Sequence, residues 1–260
     1  MLTQKLKTLI RVAKTDGAKS VWSLLVRRIG ERSRMTSGGL VRVGFCYFRC
    51  PDEGARSVII RGVYEAPERF AAKHFVRPDL PVLEFGASIG VVSCLLNRRL
   101  RCPQDHAVVE ANPEILPVLE ENRERNRCRF DIIPGAIGAE GTTARVYAGN
   151  GSLGSSLLLR SETYAEVPVL SLAGILKQKG FKRLSLICDI EGAEGQLIRG
   201  ELSVLRSHVE TLVMEFHPAI IGPDEVATLQ RLLQENGFDK LWGLTLPSEC
   251  VSLNRPGFED

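Results

Sequence analysis

No stretch of this chain approaches the ~20 consecutive apolar residues that a membrane-spanning helix needs. Met1 to Lys14 lacks the continuous apolar core of a secretory leader, so a cytoplasmic location is the expectation. Seven cysteines with no Cys-x-x-Cys pair, and four histidines not clustered at ligand spacing, argue against a disulfide framework and against a structural zinc site. Cys94 and Cys188 read instead as small core residues. Internal repeats and low-complexity segments are absent too. What remains, with 44% apolar and 25% charged residues in a length of 260, is ordinary globular composition. It suffices for one large α/β domain with an N-terminal extension.

Charge is unevenly placed. Residues 1–44 hold ten Lys and Arg against only Asp16 and Glu31, about +8, which leaves the rest near −5 in a chain of net +3. Leu2, Leu6, Leu9, Ile10 and then Val21, Trp22, Leu25, Val26 and Ile29 recur at helical spacing, so 1–44 is expected to be a basic amphipathic helical arm. It caps the domain with a solvated basic face, or it offers that face to an anionic membrane or an acidic glycan. Residues 45–80 read as a hairpin and lead-in helix, and 81–260 as the main domain.

The stretch Pro81-Val82-Leu83-Glu84-Phe85-Gly86-Ala87-Ser88-Ile89-Gly90, continuing through Leu96, predicts a buried strand, a glycine turn and a helix. Gly86 and Gly90 carry no Cβ, so a ligand can approach the main chain in front of the helix's unpaired N–H groups. That describes a nucleotide-cofactor site; the plainer alternative is a structural turn in an ordinary α/β domain. A dinucleotide fingerprint requires Gly-x-Gly-x-x-Gly, and the third glycine is missing here. Glu84, near the strand end, would repel a pyrophosphate and attract an ammonium. The pattern acid-x-Gly-x-x-x-Gly resembles the first motif of S-adenosylmethionine-dependent methyltransferases, and Glu84 is then expected to face the amino-acid end of that cofactor.

Elsewhere, Leu40–Phe48 and Arg56–Arg61, rich in β-branched and aromatic residues around Pro51-Asp52-Glu53-Gly54, predict a hairpin. Tyr64–Phe75 reads as a helix ended by Arg77-Pro78. His106–Glu110 is the next strand, followed by a helix opened by Ala111-Asn112-Pro113 and running to about Arg127. Glu110 ends its strand twenty positions past Gly90, where such folds place a carboxylate for ribose hydroxyls. Phe130–Ile137 is a third strand, and Ala144–Ala148 precedes the loop 149–156, rich in glycine and serine, which is either a connector or a lid. Leu184–Asp189 and Val209–Phe216 are further apolar strands. A helix begins within Ile190–Glu194, Asp224–Asn236 is an amphipathic helix, and Phe238–Leu246 with Cys250–Leu253 close the sheet. Alternating strands and helices predict a parallel sheet with helices on both faces.

Several of these pieces share the order and spacing of one family. Gly62-Val63-Tyr64-Glu65, Glu84 to Gly90, Val109-Glu110-Ala111-Asn112-Pro113, Asp189-Ile190-Glu191-Gly192-Ala193-Glu194 and Glu215-Phe216-His217-Pro218 resemble the FkbM-type methyltransferases over roughly residues 40–250. The resemblance implies a Rossmann-like class I methyltransferase fold, with a mostly parallel seven-stranded sheet whose last strand is antiparallel. It also implies O-methylation of a hydroxyl on a sugar or natural product. The residues implied for the cofactor are Glu65, Glu84, Gly86, Ala87, Ser88, Gly90, Glu110, Ala111, Asn112 and Ala136. Four positions depart from the family pattern: Glu84 stands for Asp, Ser88 for Asn, Ile187 for Lys and Ala173 for Asp.

Methyl transfer from a sulfonium is an in-line displacement, in which the protein aligns donor and acceptor and takes the hydroxyl proton. Asp189 and His217, at the ends of two strands on the ligand-binding rim, are candidates for that work, with Glu191 beside them to hold the substrate. Glu191 and Glu194 also fit a plainer role as acids at a helix N-terminus. Asp189 with Glu215 or His217 offers ligation of the kind Mg²⁺ takes, but no spacing demands it and no metal is assigned. The expected partner is a small-molecule or glycan hydroxyl, not nucleic acid. Two rivals stand beside this reading. One is a catalytically silent protein of the same fold. The other is a nicotinamide-dependent oxidoreductase, for which the third glycine and any Tyr-x-x-x-Lys pair are missing.

Overall fold

A computed structural model describes residues 33–62, 64–138, 143–148, 155–156, 164–245 and 249–256. The expected helices of the basic arm, and most of the 149–156 loop, lie outside these residues. The chain begins with β1 (Arg34–Met35), β2 (Val41–Val43) and β3 (Cys46–Phe48), then α1 (Glu53–Ile60) and α2 (Ala66–Phe75). β4 (Val82–Phe85), α3 (Val91–Asn97), β5 (His106–Glu110), α4 (Leu116–Arg125) and β6 (Asp131–Pro134) follow. Next come β7 (Ala136–Ile137), β8 (Thr143–Ala148), β9 (Ser155–Ser156), β10 (Tyr164–Leu170) and α5 (Leu172–Lys179). β11 (Leu184–Cys188), α6 (Glu194–His208), β12 (Val209–Phe216), α7 (Pro218–Ile221), α8 (Pro223–Glu235), β13 (Asp239–Thr245) and β14 (Glu249–Asn254) complete it.

The main sheet has seven strands in the order β13-β14-β12-β11-β4-β5-β6. β12, β11, β4, β5 and β6 are parallel, and β14 is antiparallel to both of its neighbours. This is the Rossmann-like methyltransferase sheet that the resemblance implied. Side chains alternate between its faces as strand periodicity requires. Leu83, Phe85, Leu186 and Met214 meet Leu172, Leu197 and Leu229 of α5, α6 and α8 on one face. Val82, Ile187 and Val213 meet Ala71, Val92 and Leu96 of α2 and α3 on the other. Among the described residues, no helix is long and apolar enough to cross a membrane.

Three expectations are corrected. Arg56–Arg61 is not a strand: Asp52 caps α1 by accepting the Ala55 N–H at 2.8 Å, and Ala55 and Ile59, one turn apart, are its buried residues. A side-chain cap and an amphipathic stripe outweigh the β-preference of Val58-Ile59-Ile60. The hairpin lies wholly within β2 and β3, so it straddles the expected boundary at residue 44. The third strand breaks at Gly135, after which β7 leaves the main sheet and pairs with β10 in a smaller sheet of order β7-β10-β8-β9. The sequence reading assigned neither β10 nor α5, although Ser171 caps α5 through the Gly174 N–H at 3.0 Å.

Two asparagine side chains bind the hairpin to the main domain. Asn126, at the C-cap of α4, accepts the Tyr47 N–H at 2.7 Å and donates to the Tyr47 carbonyl at 2.8 Å. Asn122, one turn earlier and fully buried, accepts the Arg49 N–H at 2.7 Å. It also donates to the carbonyls of Arg49 and Ile89, each at 3.0 Å. The two amides treat the free edge of β3 as a neighbouring strand would. Asn122→Ala strips partners from three backbone groups, one buried and two part-buried, and is expected to destabilise the fold by about 3 kcal/mol in urea melts. A loss under about 1 kcal/mol would mean that water replaces the amide.

Candidate active site

The main sheet reverses its winding between β4 and β11, the switch point outside which open α/β sheets bind ligands. There the two strand ends touch. Gly86 has φ +82°, and a Cβ on it would stand 1.7 Å from the Asp189 carbonyl oxygen, so no side chain fits. Beyond this contact the loops part around a cleft of about 820 Å³, the solvent at its open mouth included. Gly86 and Ser88 after β4, Glu110, Ala111 and Asn112 after β5, Ala136 in β7 and Asp189 and Glu191 after β11 line it. Tyr64 and Glu65, ahead of α2, close one side.

On the β5 side, Glu110 is 5% exposed and both its carboxylate oxygens are held by main chain. The Ser88 N–H donates to Oε2 and the Asn112 N–H to Oε1, each at 2.7 Å. Burial pushes the Glu110 carboxyl up, and amide donors from Asn112, Ser88 and Ala111 oppose it. Two fixed acceptor oxygens are what a vicinal diol needs. Tyr64 Oη and Ser88 Oγ are hydrogen-bonded at 2.8 Å, tying the glycine turn to the entry of α2.

The opposite side gathers acids. Burial, with the charges of Glu84 and Glu215 and against a hydrogen bond from Tyr64, pushes Glu65 up to about 8. Burial, with Glu215, Glu110 and Glu194 outweighing His217, pushes Glu191 up to about 7. Asp189 is raised well above the usual carboxylate range by burial and then by Glu215, Glu68, Glu191 and Glu65. His217 Nε2 stands 3.4 Å from Asp189 Oδ1, and its Nδ1 is 2.7 Å from Glu194 Oε1. Burial alone would depress His217, but the Glu194 hydrogen bond and the charges of Glu194, Glu215 and Glu191 raise it.

Backbone strain marks the same place. Four described non-glycine residues have positive φ, and three of them, Glu65 (47°), Ser88 (48°) and Glu191 (42°), line the cleft. Such conformations persist only where surrounding structure imposes them, and they gather at functional sites.

Most of the residues expected at the site are together here: Glu65, Gly86, Ser88, Glu110, Ala111, Asn112, Ala136, Asp189 and Glu191 all line the cleft. Four are not. Ala87 is 1% exposed and lies in a core cluster of buried residues. A side chain at Gly90 would meet Leu119 Cδ1 at 2.7 Å, so that glycine admits α4 and not a ligand. His217 stands behind Asp189. Glu84 does not face the cleft but lies under the turn, because strand alternation puts it on the face of Val82 that α3 covers. It is 2% exposed, accepts from Ser93 Oγ at 2.8 Å and sits 3.4 Å from His106 Nε2. Asn97 Nδ2, which can only donate, is 3.2 Å from His106 Nδ1, so the ring proton belongs on Nε2 and points at Glu84.

The sequence reading passed over Glu68, 2% exposed and hydrogen-bonded to Glu215, and did not pair Glu194 with His217. Glu68 shares the buried face of α2 with Ala71 and Ala72, and an acid at that spacing is the signal that was available. Two departures from the family pattern lie away from the cleft. Ile187 is in the apolar layer under α2 and α3, and the Ala173 N–H donates to Glu201 Oε2 at 2.7 Å.

Glu84→Gln keeps the shape of the buried Ser93–Glu84–His106 network and removes its charge. It is expected to lower stability by about 1–3 kcal/mol in denaturant melts, where a cleft-facing carboxylate would cost almost nothing.

The profile of the Methyltransferase FkbM domain matches residues 84–240, more than half of the chain. None of the curated proteins matches. Among solved structures, a proposed RNA methyltransferase from Pyrococcus horikoshii is 14% identical, with a TM-score of 0.45 over 98% of both chains. A precorrin-6y C5,15-methyltransferase from Geobacter metallireducens is 12% identical, with a TM-score of 0.46 over 74% of this chain and 88% of that one. Aeropyrum pernix fibrillarin with natively bound S-adenosyl-L-methionine is 10% identical, with a TM-score of 0.44 over 73% and 74%. None of the three is near enough to carry a substrate across. The profile match, which runs from Glu84 near the end of β4 to the start of β13 and takes in β5, β6, β11 and β12 entire, settles the family: the chain belongs to the FkbM methyltransferases.

Proposed function

We propose that the chain transfers a methyl group from S-adenosylmethionine to a hydroxyl of a sugar or natural product. The observation that carries this reading is the charge of the cleft. Glu65, Glu110, Asp189 and Glu191 line it, and among the described residues no lysine or arginine does. Such a cleft favours a ligand with an ammonium and a sulfonium, and repels the pyrophosphate of a dinucleotide. Glu110, with its oxygens oriented by Ser88 and Asn112, accepts the ribose hydroxyls. The cofactor supplies an electrophilic methyl group on sulfur.

The chain's own residues align the acceptor and move its proton. Asp189, on the rim and a quarter exposed, takes the proton released as the acceptor oxygen gains the methyl. His217 is a positioning residue, holding Asp189 from behind while Glu194 fixes its ring. Glu191 grips the acceptor on the same wall. Ile187 and Ala173 lie away from the cleft, and of the four departures only Ser88 lines it, which supports turnover over a silent role.

Calorimetry of the purified chain should show binding of S-adenosylmethionine and none of NAD; the reverse would favour an oxidoreductase. Glu110→Ala removes a charge-assisted contact of roughly 1.5–3 kcal/mol, so cofactor affinity should fall about ten- to a hundredfold. An unchanged affinity would remove the ribose assignment. With methyl-labelled cofactor and a panel of sugar and polyketide hydroxyls, Asp189→Asn should lower the rate by about 10²–10⁴ and leave cofactor affinity nearly intact. A lower melting temperature with an unchanged rate per folded molecule would make Asp189 structural.

A further inference from the structure

We propose that Asp189, Glu215 and His217 bind one divalent transition-metal cation, of the Mn²⁺ or Zn²⁺ kind, at the rim of the cleft. One ligand atom from each residue lies within 4.8 Å of the other two. Metal–ligand bonds of about 2.1 Å put adjacent ligands about 3 Å apart and opposed ones about 4.2 Å apart, so this spacing admits an ion with little movement. The fold brings the three together locally. β11 and β12 are parallel neighbours, Asp189 follows the first, Glu215 lies near the end of the second and His217 follows it.

Three observations distinguish the site from a chance gathering of acids. The first is the histidine's tautomer. Glu194, fully buried, presents Oε1 to His217 Nδ1 at 2.7 Å and to the Gly192 N–H at 3.0 Å. A carboxylate accepts, so Nδ1 carries the proton and Nε2 directs a lone pair at Asp189. A carboxylate behind the imidazole is how metal-ligating histidines are held. The second is Asp189 Oδ1 itself: shielded from solvent, it has no hydrogen-bond partner and stands 3.4 Å from Nε2. Two such atoms facing each other at that distance call for a proton or a metal ion between them. The third is Glu68, 2% exposed with Oε1 unpartnered, a buried acid of α2 whose charge acts on Glu215 and Asp189.

One imidazole with two carboxylates suits Mn²⁺, Fe²⁺ or Zn²⁺ better than Ca²⁺ or Mg²⁺, which prefer oxygen throughout. The rival occupant is a second proton on His217, bridging Glu194 and Asp189. Binding of the ion is independent of methyl transfer; only its role, holding and acidifying the acceptor hydroxyl, rests on that reading.

The test uses the whole 260-residue chain, stripped of metal and free of cofactor, titrated with Mn²⁺ near pH 7.5. Free Mn²⁺ is followed by electron paramagnetic resonance, with calorimetry in parallel. One equivalent should bind and be displaced by Zn²⁺. Glu215→Gln and His217→Gln should each weaken binding at least tenfold. Glu194→Gln, which meets no ion but releases the imidazole, should weaken it about ten- to a hundredfold. Glu120→Gln, exposed on α4, should leave it unchanged, and melting curves of each variant separate lost ligation from lost fold. Absence of stoichiometric binding, or equal losses in Glu120→Gln and Glu215→Gln, overturns the site, as does a His217 whose nitrogen shifts show both ring protons in the presence of saturating Mn²⁺. Cofactor calorimetry on the same metal-free sample keeps the two readings apart. Cofactor binding without Mn²⁺ binding removes only the metal site, and Mn²⁺ binding without cofactor binding removes only the methyl-transfer reading.

Discussion

The contact between Gly86 and the Asp189 carbonyl is the constraint from which the rest of the site follows. The Gly86 N–H donates to the Val109 carbonyl and the Asp189 N–H to the Phe85 carbonyl, so the ends of β4, β5 and β11 are tied at one point. Past it, each chain has only one way to go. The turn after β4 rises over β5 and gives its Ser88 amide to Glu110; the segment after β11 swings to the other side and carries Asp189 and Glu191 with it. The cleft is the space left between two loops that cannot come closer.

Electrostatics then divides the molecule. The sequence is mildly basic as a whole, yet the cleft wall and the layer behind it hold Glu65, Glu68, Asp189, Glu191, Glu194 and Glu215. Removing carboxylates from water is costly, and crowding them costs more. The fold meets part of the cost with main-chain amides at Glu110 and Glu194, and leaves the rest as raised proton affinity at Glu65, Asp189 and Glu191. A cationic ligand entering such a site draws these protons off and is held by the charge left behind.

Much of this was legible in the sequence, for identifiable reasons. Short, mostly apolar runs at Val82–Phe85, His106–Glu110 and Val209–Phe216 are the mark of strands buried on both faces, and each coincides with a strand of the structure. Glu110 was legible because its position at a strand end fixes its surroundings. Glu84, one residue short of its strand's end, was not, since an acid inside a strand can point to either face and only the packing of α3 decides which. The β-branched run at 58–60 misled because the cap that overrides it is a single aspartate six residues ahead. The pairing of His217 with Glu194 joins residues 23 apart through the geometry of β12 against α6, which no local pattern encodes.

The three strained residues around the cleft bear on how this protein can change. A non-glycine residue in a left-handed conformation costs on the order of 1–3 kcal/mol, and replacing it with glycine relieves most of that. Selection for heat tolerance alone would therefore erode Glu65, Ser88 and Glu191 towards glycine. Their presence in this chain gives up thermal margin for the shape of the cleft walls.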